Sequence, residues 1–218
     1  MKICFLVSGN GGHLKFFYLV RKLKLINYDY DLIAIADRNC GAIEFARRVK
    51  IYSKKIEYDR TYNKMLIDEL LRQTPDVIIT TWYKILDKEV VRLFRKKLIN
   101  LHYSLLPAFK GLIGMEPVRL AYEKKCRYIG ATTHYVNEKV DDGEIIAQAI
   151  QKTNISYSEA VQKIFEKANF ILLNSVLIVT QPHLKETLTY NKYWDYSPDL
   201  LFDDTVFGAT FWEELKRL

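Results

Sequence analysis

Residues 2–25, KICFLVSGNGGHLKFFYLVRKLKL, set the fold class. Ile3 to Val7 is a short, continuously apolar run, Ser8-Gly9-Asn10-Gly11-Gly12 stops it, and His13 to Leu25 then carries apolar residues at helical spacing. An apolar run of this length bounded by glycines reads as a strand buried on both faces, and the change of period marks strand, turn and helix. The rhythm repeats downstream. A strand is expected over Asp31 to Ala36 with a helix over Ala42 to Val49, and a short strand near Lys50 to Ser53 with a helix over Tyr62 to Arg72. Pro75 then introduces the β-branched run Asp76-Val77-Ile78-Ile79-Thr80-Thr81, followed by a helix around Lys88 to Arg95 and a strand over Lys97 to Leu101. Strands alternating with helices call for a parallel sheet with right-handed crossovers.

The pattern changes after the proline and glycine loop at Leu105 to Gly114. A helix from Glu116 to Lys124 leads into two extended segments, Gly130 to Val136 and Gly143 to Gln151, joined by the turn Asn137 to Asp142. These read as an antiparallel pair. Ser156 to Val179 reads as a long amphipathic helix, with Ser156 or Ser158 as N-cap and Glu159 in its first turn. The remainder, His183 to Leu218, is rich in aromatic residues and contains no repeat or low-complexity segment. The expected architecture is α/β: a Rossmann-like, mostly parallel open sheet with an appended antiparallel strand pair and a short aromatic C-terminal extension. The expected division is one domain over residues 1–182 and an extension over 183–218 packed on it.

At 218 residues and 49% apolar or aromatic content the chain can bury one sizeable core. The balance of 33 basic against 26 acidic residues gives +7, which suits nucleic acid, a membrane surface or an anionic small substrate alike. No Lys/Arg cluster is longer than pairs and triples such as Arg47-Arg48, Lys54-Lys55 and Arg95-Lys96-Lys97, where helix ends and solvated faces are expected, so neither a nucleic acid nor a membrane is expected as partner. Cys4, Cys40 and Cys126 are far apart and show no metal-ligand spacing with any of the four histidines. A reduced, metal-free, cytoplasmic protein follows, and the apolar N-terminal run is too short for a secretory core. A homodimer through the aromatic tail or the appended strands is left open.

The segment INLHYSLLPAFKG, Ile99 to Gly111, concentrates the chemistry. Side chains two apart in a strand share a face, so Asn100 and His102 point the same way at a strand's carboxyl end. An amide can donate to a developing oxyanion, and histidine titrates close enough to neutrality to act as acid or base. The turn VDDGEI adds Asp141 and Asp142 beside Gly143; a carboxylate near His102 would favour the imidazolium and orient it. The loop Ser8 to His13 offers backbone amides at a helix N-terminus, an anion site in waiting. It is not a dinucleotide fingerprint, because Gly9, Gly11 and Gly12 are followed by His13, Leu14 and Lys15.

Together, SGNG after the first strand, NLHYSLLPAFKG in the middle and VDDGEII afterwards resemble the folate-dependent formyltransferases, closest in order and spacing to the glycinamide ribonucleotide branch. The resemblance runs from about Lys2 to Val179. It implies an enzyme that moves a formyl group from 10-formyltetrahydrofolate, its co-substrate, to a primary amine without a metal. It implies Asn100, His102 and Asp141 as the catalytic triad, with Asp141 preferred to Asp142 because the family's aspartate stands two before the glycine. The stretch Tyr83, Lys84, Ile85 and Leu86 resembles the one that holds the pteridine, with Val136 to Asp141, including Val140, closing the other side. Gly11, Gly12, His13, Tyr103, Ser104 and Glu166 fall where the family binds the amine substrate. In the implied mechanism Asp141 keeps His102 charged, and Asn100 with the imidazolium stabilises the oxyanion.

The departures from the purine enzyme lie on the acceptor side. Its glycine loop continues Gly-Ser-Asn around a phosphate, whereas here Gly12-His13-Leu14 follows; its His-Pro-Ser is here His102-Tyr103-Ser104, similar to sugar N-formyltransferases; and Leu112 to Pro117, LIGMEP, replaces its polar cluster. Tyr190, Tyr193, Trp194 and Tyr196 could stack on a sugar or base. An amino sugar, nucleotide-linked or free, is therefore the expected acceptor, with glycinamide ribonucleotide of purine biosynthesis as the alternative and a non-catalytic ligand-binding module as a further one. A methionyl-tRNA formyltransferase fits less well, since only about forty residues follow the long helix where that family carries an RNA-binding domain.

Overall fold

The computed structural model describes residues 1–190 and 192–218, which divide into two units: residues 1–98 with 202–218, and residues 99–201. The first unit runs β1 (Lys2–Val7), α1 (Gly12–Lys22), β2 (Asp31–Ala36), α2 (Gly41–Arg48), β3 (Tyr52–Lys55), α3 (Lys64–Gln73), β4 (Val77–Thr81) and α4 (Lys88–Phe94). Its strands lie in the order β3-β2-β1-β4, and the pairs β2–β3, β1–β2 and β1–β4 are all parallel. Continuously apolar strands demand cover on both faces; accordingly Ile3, Phe5, Leu6, Ile33, Ile35, Ile78 and Ile79 are all buried. Connections pass to one side of β1 first and to the other side at β4. The direction therefore reverses between β1 and β4, and the loops after these two strands open at the crevice where such sheets take ligands.

Strand β3 begins two residues later than the sequence pattern suggests. Lys50 takes a left-handed backbone, φ 59°, and Ile51 N donates to Ala46 O at 2.8 Å, so these residues close α2 rather than start a strand.

The second unit contains β5 (Leu98–His102), α5 (Glu116–Glu123), β6 (Tyr128–Tyr135), β7 (Ile145–Lys152), α6 (Tyr157–Thr180) and β8 (Tyr196–Ser197). The expected antiparallel pair is β6–β7, and it is wider than expected: β5 runs antiparallel to β6, and β8 antiparallel to β7. Ser156 caps α6, its Oγ accepting from Glu159 N at 3.3 Å. Buried polar groups on α6 are satisfied. Ser175 Oγ meets Thr133 Oγ1 at 2.6 Å, and Asn174 Oδ1 accepts from Leu201 N at 2.8 Å while its amide donates to Asp199 O at 3.2 Å.

The aromatic extension is shared between the units. Residues 202–218 belong to the first, where α7 (Ala209–Arg217) and the turn before it surround Phe16 of α1: Phe207, Phe211 and Trp212 lie 5.6, 5.5 and 5.9 Å from its ring centroid. Such rings supply core rather than ligand contacts. Among the described residues no helix is long and apolar enough to cross a membrane.

Candidate active site

Strand alternation puts Asn100 and His102 on one face of β5, and the antiparallel register sets His134 opposite Asn100 and Thr132 opposite His102. The turn between β6 and β7 returns Asp141 to the same place. Asp141 Oδ2 lies 3.3 Å from His102 Nδ1 and accepts from Gly111 N at 2.9 Å, while Oδ1 accepts from Asn100 Nδ2 at 3.3 Å. Asn100, His102 and Asp141 are thus brought together. Asp142 points outward to an ion pair with Lys110.

Two backbone conformations make this possible. Asp141 takes a left-handed φ of 50° and Phe109 one of 57°. Aspartate tolerates that region and a bulky aromatic does not, so the loop holds Phe109 against its preference. The Phe109 carbonyl consequently lies 3.0 Å from His102 Nε2. Gly143 is equally constrained: a Cβ there would fall 1.6 Å from Tyr135 O. Thr132 fixes the turn after His102, its hydroxyl donating to Ser104 O at 2.6 Å and accepting from Leu106 N at 3.1 Å. Ser104 Oγ in turn donates to Ala108 O at 2.5 Å.

His134 is a participant that sequence reasoning missed. It is 2% exposed, its Nδ1 lies 2.9 Å from Tyr135 O, and its Nε2 is 3.2 Å from Asn100 Nδ2 and 3.6 Å from Asp141 Oδ1. A carbonyl only accepts, which assigns the proton to Nδ1 and leaves Nε2 to accept from the Asn100 amide. The available signal was Thr132-Thr133-His134, whose first and third residues share a strand face. A register shift between Thr133 and His134 locally breaks the ladder there.

The electrostatics correct one expectation. Burial pulls His102 below the ordinary histidine pKa, and the Asp141 charge and the Phe109 carbonyl offset this only in part, so the resting imidazole is neutral at pH 7 rather than held charged. Asp141 behaves differently. Burial opposes its charge, but the hydrogen bond from the Gly111 amide helps to hold its carboxyl below the usual range. Burial alone pushes the Tyr103 phenol above the tyrosine range. Tyr103 is half-buried just past the end of β5. Glu166 lies on α6, half-buried, accepting from Gln162 Nε2 at 2.9 Å. Val136 is half-buried and Val140 is 50% exposed in the turn that carries Asp141.

The other candidates belong to the first unit, where the loops after β1 and β4 meet. Ser8 Oγ accepts from Tyr83 N at 3.1 Å and donates to Asp37 Oδ1 at 2.7 Å; Arg38 pairs with Asp37 and lies 5.7 Å over the Tyr83 ring. Gly11 is required at the N-cap of α1: its φ is 71°, and a Cβ there would lie 2.7 Å from Ala42 Cβ. Gly12 and His13 begin the helix. In the second loop Tyr83 and Ile85 are 56% and 53% exposed, Lys84 is exposed and Leu86 is buried, with Ile85 O accepting from Tyr58 OH at 3.3 Å. Among the described residues no group of three or more His, Cys, Asp or Glu is placed to hold a metal ion.

Known proteins are similar to this chain over much of its length. The chloroplastic phosphoribosylglycinamide formyltransferase of Arabidopsis thaliana is 28% identical over 195 residues, 84% of this chain and 67% of that protein. The formyltetrahydrofolate deformylase of Haemophilus influenzae is 30% identical over 135 residues, covering 60% of this chain and 48% of its own, so the chain spans about half the deformylase's length. Glycinamide ribonucleotide transformylase 1 from Symbiobacterium toebii superposes with a TM-score of 0.71 at 23% identity, over 88% of this chain and 91% of the other, a likeness of fold. A family model described as formyl transferase matches residues 1–177 of the 218, and the chain belongs to the formyl transferase family.

Proposed function

We propose that the chain is a folate-dependent N-formyltransferase that moves the formyl group of 10-formyltetrahydrofolate to a primary amine, with Asn100, His102 and Asp141 as its catalytic residues. The observation that carries this is the convergence of amide, imidazole and carboxylate on one spot at the end of β5, with Asp141 held at 3.3 Å from the ring. In the transfer a bond forms from amine nitrogen to formyl carbon, the bond from that carbon to the folate nitrogen breaks, and one proton passes from amine to folate. A neutral His102 can take that proton, and as imidazolium it then stands with the Asn100 amide as a donor to the formyl oxygen. Asp141 orients the ring and stabilises its charged form. The folate would find exposed apolar surface at Tyr83 and Ile85, which a solvated loop has no need to present.

For the acceptor, the plant relative, matched along 84% of this chain, favours glycinamide ribonucleotide. Its phosphate would lie on the amides at the N-terminus of α1. The amino sugar stands second, supported by Gly12-His13-Leu14 in the glycine loop. Water as acceptor, with formate as product, is supported by the deformylase likeness alone. One assay separates the three: 10-formyltetrahydrofolate with glycinamide ribonucleotide, with a panel of nucleotide-linked 3-amino and 4-amino sugars, and with no amine. Amine-dependent turnover with glycinamide ribonucleotide is expected. Formate release at the same rate without any amine would overturn the transferase assignment, and turnover only with a sugar would overturn the acceptor.

A further inference from the structure

Among the described residues one buried side-chain polar atom has no hydrogen-bond partner, Nε1 of Trp82, on a side chain 7% exposed. An indole N–H only donates, and it cannot rotate to find a partner as a hydroxyl does. Other buried polar groups of the same unit are bonded: Tyr30 OH donates to Phe17 O and Ser8 Oγ to Asp37 Oδ1, both at 2.7 Å, and Glu69 Oε2 accepts from Lys54 Nζ at 2.7 Å. A phenyl ring would fill most of the same space and leave no donor unmet. A buried N–H kept without an acceptor therefore points to an acceptor that comes from outside the chain.

The position of Trp82 narrows what that is. It is the first residue after β4, at the edge of the sheet where the connections reverse and ligands enter. Its ring is held from one side. Tyr58 packs on it with 4.9 Å between ring centroids and planes 32° apart, the Tyr58 hydroxyl accepts from Asp87 N at 2.8 Å, and Asp87 caps α4 through Glu89 N and Val90 N. Between these fixed points Tyr83 to Leu86 lies outside helix and strand, with Tyr83 and Ile85 more than half exposed. Tyr83 N donates to Ser8 Oγ at 3.1 Å and Ile85 O accepts from Tyr58 OH at 3.3 Å, side-chain ties that let the loop shift without breaking a ladder.

We propose that Trp82 is a co-substrate-binding residue whose indole N–H donates to an acceptor atom of the pterin ring, the loop from Tyr83 to Leu86 shifting to admit it. A pterin suits both observations: it is a flat fused ring for an aromatic pair, and it carries carbonyl and ring-nitrogen acceptors along its edge. This rests on the folate reading of the site. The test is proton–nitrogen NMR of the full chain with labelled tryptophan, beside calorimetry with tetrahydrofolate. Trp82, Trp194 and Trp212 give three indole N–H signals, and that of Trp82 is the one missing from Trp82→Phe. In the free chain its proton should lie at the upfield position of an unbonded indole, saturating tetrahydrofolate should move it downfield while the other two stay, and glycinamide ribonucleotide alone should move none. Trp82→Phe should weaken tetrahydrofolate about three- to tenfold, the loss expected for one neutral hydrogen bond, and leave the affinity for glycinamide ribonucleotide within about twofold. A Trp82 proton already downfield in the free chain would assign the donor to a buried water and overturn the proposal. So would a proton unmoved when tetrahydrofolate is bound, one moved by glycinamide ribonucleotide alone, or a Trp82→Phe chain binding tetrahydrofolate as tightly as the parent. Failure of the parent to bind tetrahydrofolate at all would overturn the formyl-transfer reading and this proposal with it.

Discussion

Gly143→Ala tests whether the backbone of the β6–β7 turn sets the geometry of the triad. A Cβ at residue 143 would lie 1.6 Å from Tyr135 O, whereas an ordinary carbon–oxygen contact is about 3.2 Å, so backbone must move by roughly 1.5 Å. Two movements are available, and both reach the site. If the turn yields, Asp141 moves with it and loses its 3.3 Å approach to His102 and its 2.9 Å bond from Gly111 N. If Tyr135 yields, its carbonyl leaves His134 Nδ1, now at 2.9 Å, and frees the ring that accepts from Asn100. A displacement of about 1 Å in a catalytic group costs about a hundredfold in rate, and overpacking costs about 1–3 kcal/mol of stability. The assay is steady-state consumption of 10-formyltetrahydrofolate beside a thermal melt, with Gly208→Ala, where nothing lies within 4 Å, as the control. A fall in kcat of about a hundredfold with a melting point lowered by no more than about 10 °C is expected. A folded Gly143→Ala enzyme with kcat within about threefold of the parent would refute the coupling of turn to triad.

Replacing His102 by Asn should nearly abolish turnover with little loss of folate affinity; retention of more than about a tenth of the activity would rule out its role in stabilising transition-state charge. Asp141→Asn should cost kcat on the same scale, whereas Asp142→Asn removes only an exposed pair with Lys110 and should be mild; a reversed order would move the catalytic carboxylate to residue 142. Glu69, 2% exposed and bonded to Lys54, Arg72, Tyr52 and Gln73, has its pKa lowered to about 2 by those bonds against the cost of burial. Its stabilisation is full above the ordinary carboxylate pKa and lost as pH falls towards 2, so Glu69→Gln should lower unfolding free energy by roughly 1–3 kcal/mol at pH 7, allowing for its solvated partners, with the gap closing in acid melts. His102, depressed below the ordinary value, also destabilises the fold as pH falls below about 6.5, because the unfolded chain takes the proton first. Urea melts should therefore show a larger loss between pH 7 and pH 5 in the parent than in His102→Asn.

What the sequence discloses and what it hides follow from the range over which each feature is encoded. β2 is read to the residue because Asp31 to Ala36 is a local apolar run, and Asn100 with His102 needs only the two-residue period of a strand. β3 is misplaced because the left-handed Lys50 that ends α2 is neither glycine nor asparagine, so composition carries no mark of it. Tyr196 and Trp194 look alike in an aromatic tail. Only the pairing of Tyr196 with Ala149 in β8 buries one and leaves the other in solvent.

The site shows the same division. His134 joins Asn100 through the register of two strands 34 residues apart, and no local pattern states a register. The Phe109 carbonyl and the Gly111 amide are backbone groups, which any sequence would supply. Asp141 and Asp142 are chemically identical neighbours, and only the family resemblance, whose aspartate stands two before the glycine, separates them in the sequence. The physical separation is conformational: φ of 50° at Asp141 turns its carboxylate inward beneath the Gly111 amide and leaves Asp142 to Lys110 in solvent. That left-handed residue, the left-handed Phe109 and the unreplaceable Gly143 are three departures from easy backbone geometry within one site. Natural chains hold such departures where function requires them. Relieving the strain at Phe109 with Phe109→Gly should therefore raise stability or leave it unchanged, while loosening the carbonyl on His102 Nε2 and lowering kcat.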